Sequence, residues 1–250
     1  MKKCLSLLGL LIFLLVLKNN VFADWICGTF ASDSSTKYFY FSRAIQKDPD
    51  YALPYRSRAW TELRQKNYPA ATKDFETALK LNPVDCVSWY GYSELKRALK
   101  DWEGALKNLE QALQLNPRYL WAHLSRAECF DQTGNAKAAL ESRVRYLQLS
   151  GNLQEALFHL DEFLSKEIDK KSRIQTLEWR ANIKTELKDT VGAILDWDQV
   201  ILLHPRYARA YFKRGILKKR MKKKEEALKD FHTALEKDPH YANNIQKEFY

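Results

Sequence analysis

The hydrophobic pattern of the chain changes character once. From Cys4 to Leu17 runs a 14-residue apolar stretch broken only by Ser6 and Gly9. Beyond it, apolar residues fall at helical spacing in runs that end at prolines, as in Ala78-Leu79-Lys80-Leu81 before Pro83. Proline cannot donate the hydrogen bond a helix needs, so each marks a stop. Five prolines share one context: Asp48-Pro49, Asn82-Pro83, Asn116-Pro117, His204-Pro205 and Asp238-Pro239, separated by 34, 34, 88 and 34 residues. The pattern predicts pairs of helices of fixed length.

Small residues keep the same phase. Ala71, Ala105, Ala193 and Ala227 stand twelve before a proline, and Ala44, Ala78, Ala112 and Ala234 stand five before, with Val200 the exception. Ala59, Ser93, Ala181 and Gly215 stand twenty-four before, and Phe41, Phe75, Leu109, Trp197 and Phe231 fill the site between. Small side chains at constant helical positions let two helices approach closely. This pattern resembles the tetratricopeptide repeat, a 34-residue helix–turn–helix unit. Units 52–85, 86–119, 174–207 and 208–241 match well. Unit 120–153 is degenerate, with Tyr146 and Gly151 where a small residue and the proline belong. Residues 35–51 read as a half repeat that caps the array without its first helix, 24–34 as an irregular segment, and 242–250 as a C-terminal cap.

The resemblance implies an all-α fold, a right-handed superhelical solenoid of antiparallel helix pairs. The 88-residue gap holds two units and twenty further residues. Leu153, Ala156, Leu157, Leu160, Phe163 and Leu164 place an extra helix and loop at 154–173, with Glu167 to Ser172 as a polar loop. That helix is either a hinge or partner-specific bulge, or a decayed repeat.

In this family the first helix of each unit lines a groove. The matching positions here put Arg56, Trp60, Tyr90, Glu94, Arg97, Trp121, Glu128, Asp131, Glu178, Trp179, Asn182, Arg209, Phe212 and Lys213 on that face. Aromatic residues and arginines of this kind dominate binding hot spots. Half of the rings are expected to stand exposed, Trp60, Trp121 and Trp179 foremost. The family's carboxylate clamp is absent: Arg56, Trp60, Gly91, Trp121 and Ser125 occupy its five positions.

The apolar run is shorter than a bilayer-spanning helix needs. With Lys2 and Lys3 before it and Val21-Phe22-Ala23 after it, residues 1–23 read as a secretory signal peptide, leaving a mature chain from Asp24. The expected location is periplasmic or secreted, with an uncleaved N-terminal anchor as the other reading.

Composition changes the picture little. Apolar residues make up 46%, with 8 Gly and 7 Pro in 250, which excludes a disordered or fibrous chain. Charge changes it more. The net charge of +10 is not spread out, because residues 206–224 hold ten basic residues and no acidic one. Arg209 and Lys213 take groove positions; Lys218, Lys219, Arg220, Lys222, Lys223 and Lys224 form a basic patch at one end. The groove is expected to be bipolar, acidic near Glu94, Glu128, Asp131 and Glu178 and basic at Arg209 to Arg220.

Cys27, Cys86 and Cys129 remain after the leader, an odd number that suits buried single thiols, with one disulfide and one thiol as the other reading. The five His show no metal-ligand spacing, and there is no phosphate loop or nucleophile elbow. The sequence therefore reads as a binding scaffold for a protein or peptide, with no catalysis, no cofactor and no metal. Attachment to anionic lipid or envelope polymer through the basic patch is the alternative, and nucleic acid is the weakest of the anionic partners.

Overall fold

The computed structural model describes residues 20–166 and 168–249. The greater part of the leader, with Lys2, Lys3 and the run from Cys4 to Leu17, lies outside the described residues. Every regular element among those described is helical. The chain divides into two compact units, residues 1–134 and 135–250.

The first unit contains α1 (Val21–Phe30), α2 (Ser34–Lys47), α3 (Ala52–Arg64), α4 (Tyr68–Leu81), α5 (Cys86–Ala98), α6 (Trp102–Leu115) and α7 (Leu120–Gln132). Consecutive helices pack as pairs, α1 on α2, α3 on α4 and α5 on α6. α2, α4 and α6 each end two residues before their proline, at Lys47, Leu81 and Leu115. Aspartates open α2, α5 and α6. Asp33, Asp85 and Asp101 each accept a backbone N–H from the first turn, satisfying a donor that the helix itself leaves free. The phased alanines Ala59, Ala71, Ala78, Ala105 and Ala112 have no exposed surface, and Phe75 and Leu109 fill the space between them.

The segment 24–34, expected to be irregular, is helical as far as Phe30, and the half repeat has a first helix after all. α1 lacks the small residue at the phased position, which Trp25 occupies. Close approach is achieved one turn later at Gly28, whose absent side chain leaves room for the Phe41 ring: a Cβ there would lie 2.5 Å from it. Asp24, 1% exposed, is held by Arg43 and by Lys47 at 2.7 Å, both on α2.

The second unit contains α8 (Ala136–Ser150), α9 (Leu153–Ser165), α10 (Lys170–Glu186), α11 (Thr190–Leu203), α12 (Ala208–Arg220), α13 (Lys224–Lys237), a 3-10 turn (Pro239–Tyr241) and α14 (Ala242–Phe249). α10 pairs with α11 and α12 with α13. The degenerate stretch 120–153 therefore supplies the last helix of one unit and the first of the other. α8 turns Leu140, Val144 and Leu147 onto Ala156 and Leu160 of α9 and Ile183 of α10. Tyr146, which displaces a small residue, lies half-buried against this cluster. The extra helix thus has a packing role inside its unit.

The polar loop expected at Glu167 to Ser172 is shorter than the sequence suggested. α10 starts at Lys170, a turn ahead of the repeat boundary, because Asp169 caps it by accepting from the Ser172 N–H. At the other end Ile245 of α14 joins Phe212, Ala227, Phe231 and Ala234, closing the last core cluster.

Candidate partner-binding face

Within the first unit, the residues read from the sequence as groove-lining lie on α3, α5 and α7. Arg56 reaches Asp85, Nη1 donating to Oδ2 at 2.8 Å, so its charge is balanced by the cap of α5. Trp60 packs edge-on against Phe75 and, at 5.9 Å between centroids, against Tyr90. Tyr90 in turn meets Tyr119 edge-on at 5.0 Å. The result is a continuous aromatic row. Burial pushes up the hydroxyl pKa of both Tyr90 and Tyr119, the second strongly, so both rings stay neutral. Trp60 and Tyr90 are half-buried in this row rather than standing out as free anchors, because neighbouring helix pairs meet there.

Of the carboxylates expected to make the face acidic, Glu94 and Glu128 share one guanidinium. Arg97 Nη1 donates to both Glu94 oxygens, at 2.6 and 2.7 Å, and to the Ser125 hydroxyl, while Nη2 reaches Glu128 of α7. Ser125 also donates to Glu94 at 2.7 Å. Burial opposes the Arg97 charge, but the two glutamates outweigh it and hold the guanidinium protonated. This network ties α5 to α7 and fixes the rotamers of four polar side chains. Glu128 and Asp131 stay exposed at its edge. Trp121 is 52% exposed. Of the three tryptophans named from the sequence, it alone matches the expectation of an exposed ring.

In the second unit the same positions fall on α10 and α12. Trp179 is half-buried against the cluster of Leu140, Leu160 and Ile183. Phe212, 8% exposed, sits between Phe231 and Tyr241, so it is a core residue of the last helix pair. Both were expected on the groove; the cluster of α8 and α9 absorbs Trp179, and Phe231 of α13 with Tyr241 of the 3-10 turn absorbs Phe212. Glu178 and Asn182 are half-buried, Arg209 is exposed and Lys213 half-buried. Burial and the nearby Glu178 carboxylate push the Tyr207 hydroxyl up to about 12.

The basic patch divides. Lys218 is not a free surface charge: its ammonium lies 2.9 Å from Asp230 and 3.6 Å from Glu226. Lys223 also faces Glu226, at 3.4 Å. Lys219 is half-buried, and Arg220, Lys222 and Lys224 are exposed around the turn between α12 and α13. Lys222 adopts a left-handed backbone (φ 62), as Lys66, Lys100 and Lys188 do in the corresponding turns.

Two features went unread in the sequence. Val191, Leu195 and Leu202 lie 58%, 57% and 80% exposed along one side of α11, where α4, α6 and α13 carry charged or polar residues in most of the equivalent places. That contrast between aligned units was the available signal. An apolar cleft of about 430 Å3 also opens between the added first turn of α10 and the turn after α11, lined by Lys170, Lys171, Ile174, His204 and Tyr207. It depends on the early start of α10, which no residue pattern announced.

Among the described residues no group of three His, Cys, Asp or Glu could hold a metal ion, and no helix is long and apolar enough to cross a membrane. Of the three thiols expected to be buried only Cys129 is; Cys27 is exposed and Cys86 half-buried, and none is bonded to another. Burial pushes the Cys129 thiol up to about 11, which keeps it unreactive.

Comparison with known proteins follows the same lines. No curated protein matches the chain. Among solved structures it is similar to YrrB, a TPR protein with an unusual peptide-binding site, at 18% identity over 84% of this chain and 98% of that one, with a TM-score of 0.43. It is also similar to MamA, at 16% identity over 84% and 92% of the two chains (TM-score 0.42). A tetratricopeptide repeat protein from Parabacteroides merdae shares 20% identity over 86% and 90% (TM-score 0.41). Family models described as tetratricopeptide repeat match residues 96–142 and 208–241. The helix pairs of this chain therefore include tetratricopeptide repeats.

Proposed function

We propose that this chain is a non-catalytic scaffold that binds a protein or peptide partner on the α5–α7 face of its first unit. The observation that carries this reading is the pre-set geometry around Arg97. Glu94, Ser125 and Glu128 hold the guanidinium in place, with a half-exposed Trp121 on the same helix as Ser125 and Glu128. An exposed aromatic ring beside polar groups already ordered loses little entropy on binding, which is how affinity arises from a small area. Glu128, exposed at the edge of the network, supplies an acceptor for a basic or hydroxyl-bearing residue of the partner.

The basic stretch at α12–α13 has a lesser role in this reading. Pairing of Lys218 and Lys223 within the helix pair leaves Arg220, Lys222 and Lys224 to attract acidic segments of the partner over a distance. We also propose that residues 1–23 direct export and are removed. Removal would delete the Asn20 cap and the first three residues of α1 while leaving Asp24 with Arg43 and Lys47.

Selection of displayed random peptides on the full chain tests the reading. Enrichment of sequences that compete with one another and lose enrichment on a Trp121→Ala chain is the expected result. Failure to enrich any family of peptides, together with co-sedimentation of the protein with anionic liposomes at low salt, would replace it by the membrane-attachment reading.

A further inference from the structure

Three helix pairs share an ionic pattern, and one of them breaks it. In each, an arginine on the first helix grips an aspartate sixteen residues later: Arg58 and Asp74, Arg180 and Asp196, Arg214 and Asp230. One turn after the arginine, two of the pairs carry Lys184 and Lys218, whose ammonium groups each lie 2.9 Å from the same aspartate. Each of those buried carboxylates therefore has two cations. The α3–α4 pair has Glu62 in the place of the lysine. Glu62 and Asp74 are each 3% exposed, and Glu62 Oε2 is buried with no hydrogen-bond partner. Two carboxylates here share one guanidinium.

The charged groups acting on Glu62 are Asp74 from α4 and Arg58 from its own helix. α2 acts through Arg58 alone, since the Ser42 hydroxyl accepts from its Nη1 and the Tyr38 ring lies 5.5 Å from its guanidinium carbon. α1 contributes the Trp25 indole, which donates to Ser57, and α5 the Tyr92 hydroxyl, which donates to Glu76. None of these donates to Glu62 Oε2, which has no hydrogen-bond partner. Burial first, then Asp74, push the Glu62 pKa up to about 7, against the partial relief that Arg58 gives.

We propose that the Arg58–Glu62–Asp74 cluster is a pH-sensitive latch on the α3–α4 pair, closed while Glu62 is protonated and loosened when it ionises. The inference is independent of what the chain binds. Its sign is opposite to that of a salt-bridged carboxylate. Glu62 takes up a proton on folding between the unfolded value of 4.5 and a folded value near 7, so the pair loses stability as pH rises through that interval. Because α3 also carries Trp60, opening of the latch would disturb the aromatic row that Trp60 starts.

Hydrogen exchange of the full chain, corrected for intrinsic rates, gives the test. The α10–α11 pair, where Lys184 holds the lysine place, serves as the reference inside the same molecule. Between about pH 5.5 and about pH 8.5, protection of α3 and α4 is expected to fall by at least about tenfold relative to α10 and α11. Glu62→Gln, neutral at both pH values, should remove the fall, and Glu62→Lys should do so by restoring the two-cation pattern. Equal protection of α3–α4 at both pH values would overturn the proposal, as would an undiminished fall in Glu62→Gln. If Glu62→Lys does not fold, Glu62→Gln alone decides.

Discussion

Arg58 on α3 and Asp74 on α4 are joined by two parallel hydrogen bonds, Nε to Oδ2 at 2.5 Å and Nη2 to Oδ1 at 2.7 Å. This forked contact locks one helix of the pair against the other at a fixed register, and it recurs at Arg214 and Asp230. Removing one partner of a buried pair leaves the other charge without compensation. Arg58→Ala is expected to cost about 3–5 kcal/mol of stability. Arg180→Ala should cost clearly less, because Lys184 remains 2.9 Å from Asp196. Urea unfolding of the two variants side by side measures the difference.

Gly91 allows α5 to lie against the α3–α4 pair. A Cβ at this position would stand 2.5 Å from Phe75 Cε1 and 2.9 Å from Trp60 Nε1, and Phe75 is fully buried. Gly91→Ala is expected to destabilise by about 1–3 kcal/mol through overpacking. Gly134→Ala makes a useful contrast. Nothing lies within 4 Å of where a Cβ would stand, and the cost there is the left-handed backbone (φ 75) alone, about 1 kcal/mol. Thermal melts of both variants would separate crowding from strain.

Asp24 should give the α1–α2 pair a pH dependence in the acid range. Burial opposes its ionisation, but hydrogen bonds and charge from Arg43 and Lys47 outweigh this and hold its pKa below 3.8. A lowered folded-state value means the carboxylate stabilises the pair above about pH 3.8, and that contribution disappears as pH falls further. Asp24→Asn should lower the melting temperature near neutral pH and shrink the acid-induced loss seen in the parent chain. Melts at a series of pH values below 5 check both.

Processing of the leader has a direct reading. If residues 1–23 are removed on export, N-terminal sequencing of the protein from its native host should begin at Asp24. A chain recovered with Met1 would support the N-terminal anchor instead.

Much of the helical layout was legible because proline, small residues and a large core residue recur at fixed spacing, and each has one physical job in a helix pair. α1 was missed because its small residue, Gly28, stands a turn later than in the other first helices. Its core contact is with Phe41, which the sequence had already assigned. The face residues were harder. Position along the chain puts Trp60, Trp121, Trp179 and Phe212 on one side of their helices, but it does not say which ring a neighbouring element will cover. Trp60 meets Tyr90 and Phe212 meets Tyr241, whereas Trp121 is left half-exposed. Charge misled for the same reason. Lys218 belongs to a run of bases in sequence, yet in space it completes the site of Asp230.

The most direct test of the central claim is the affinity of one selected peptide for three chains, read by calorimetry. The parent should bind it. Trp121→Ala should bind at least about thirtyfold more weakly, the loss of 2 kcal/mol or more that marks a hot spot. Leu202→Ala, which alters an exposed residue of the other unit, should bind as the parent does. Parent-like affinity in Trp121→Ala would contradict the placement of the partner on the α5–α7 face.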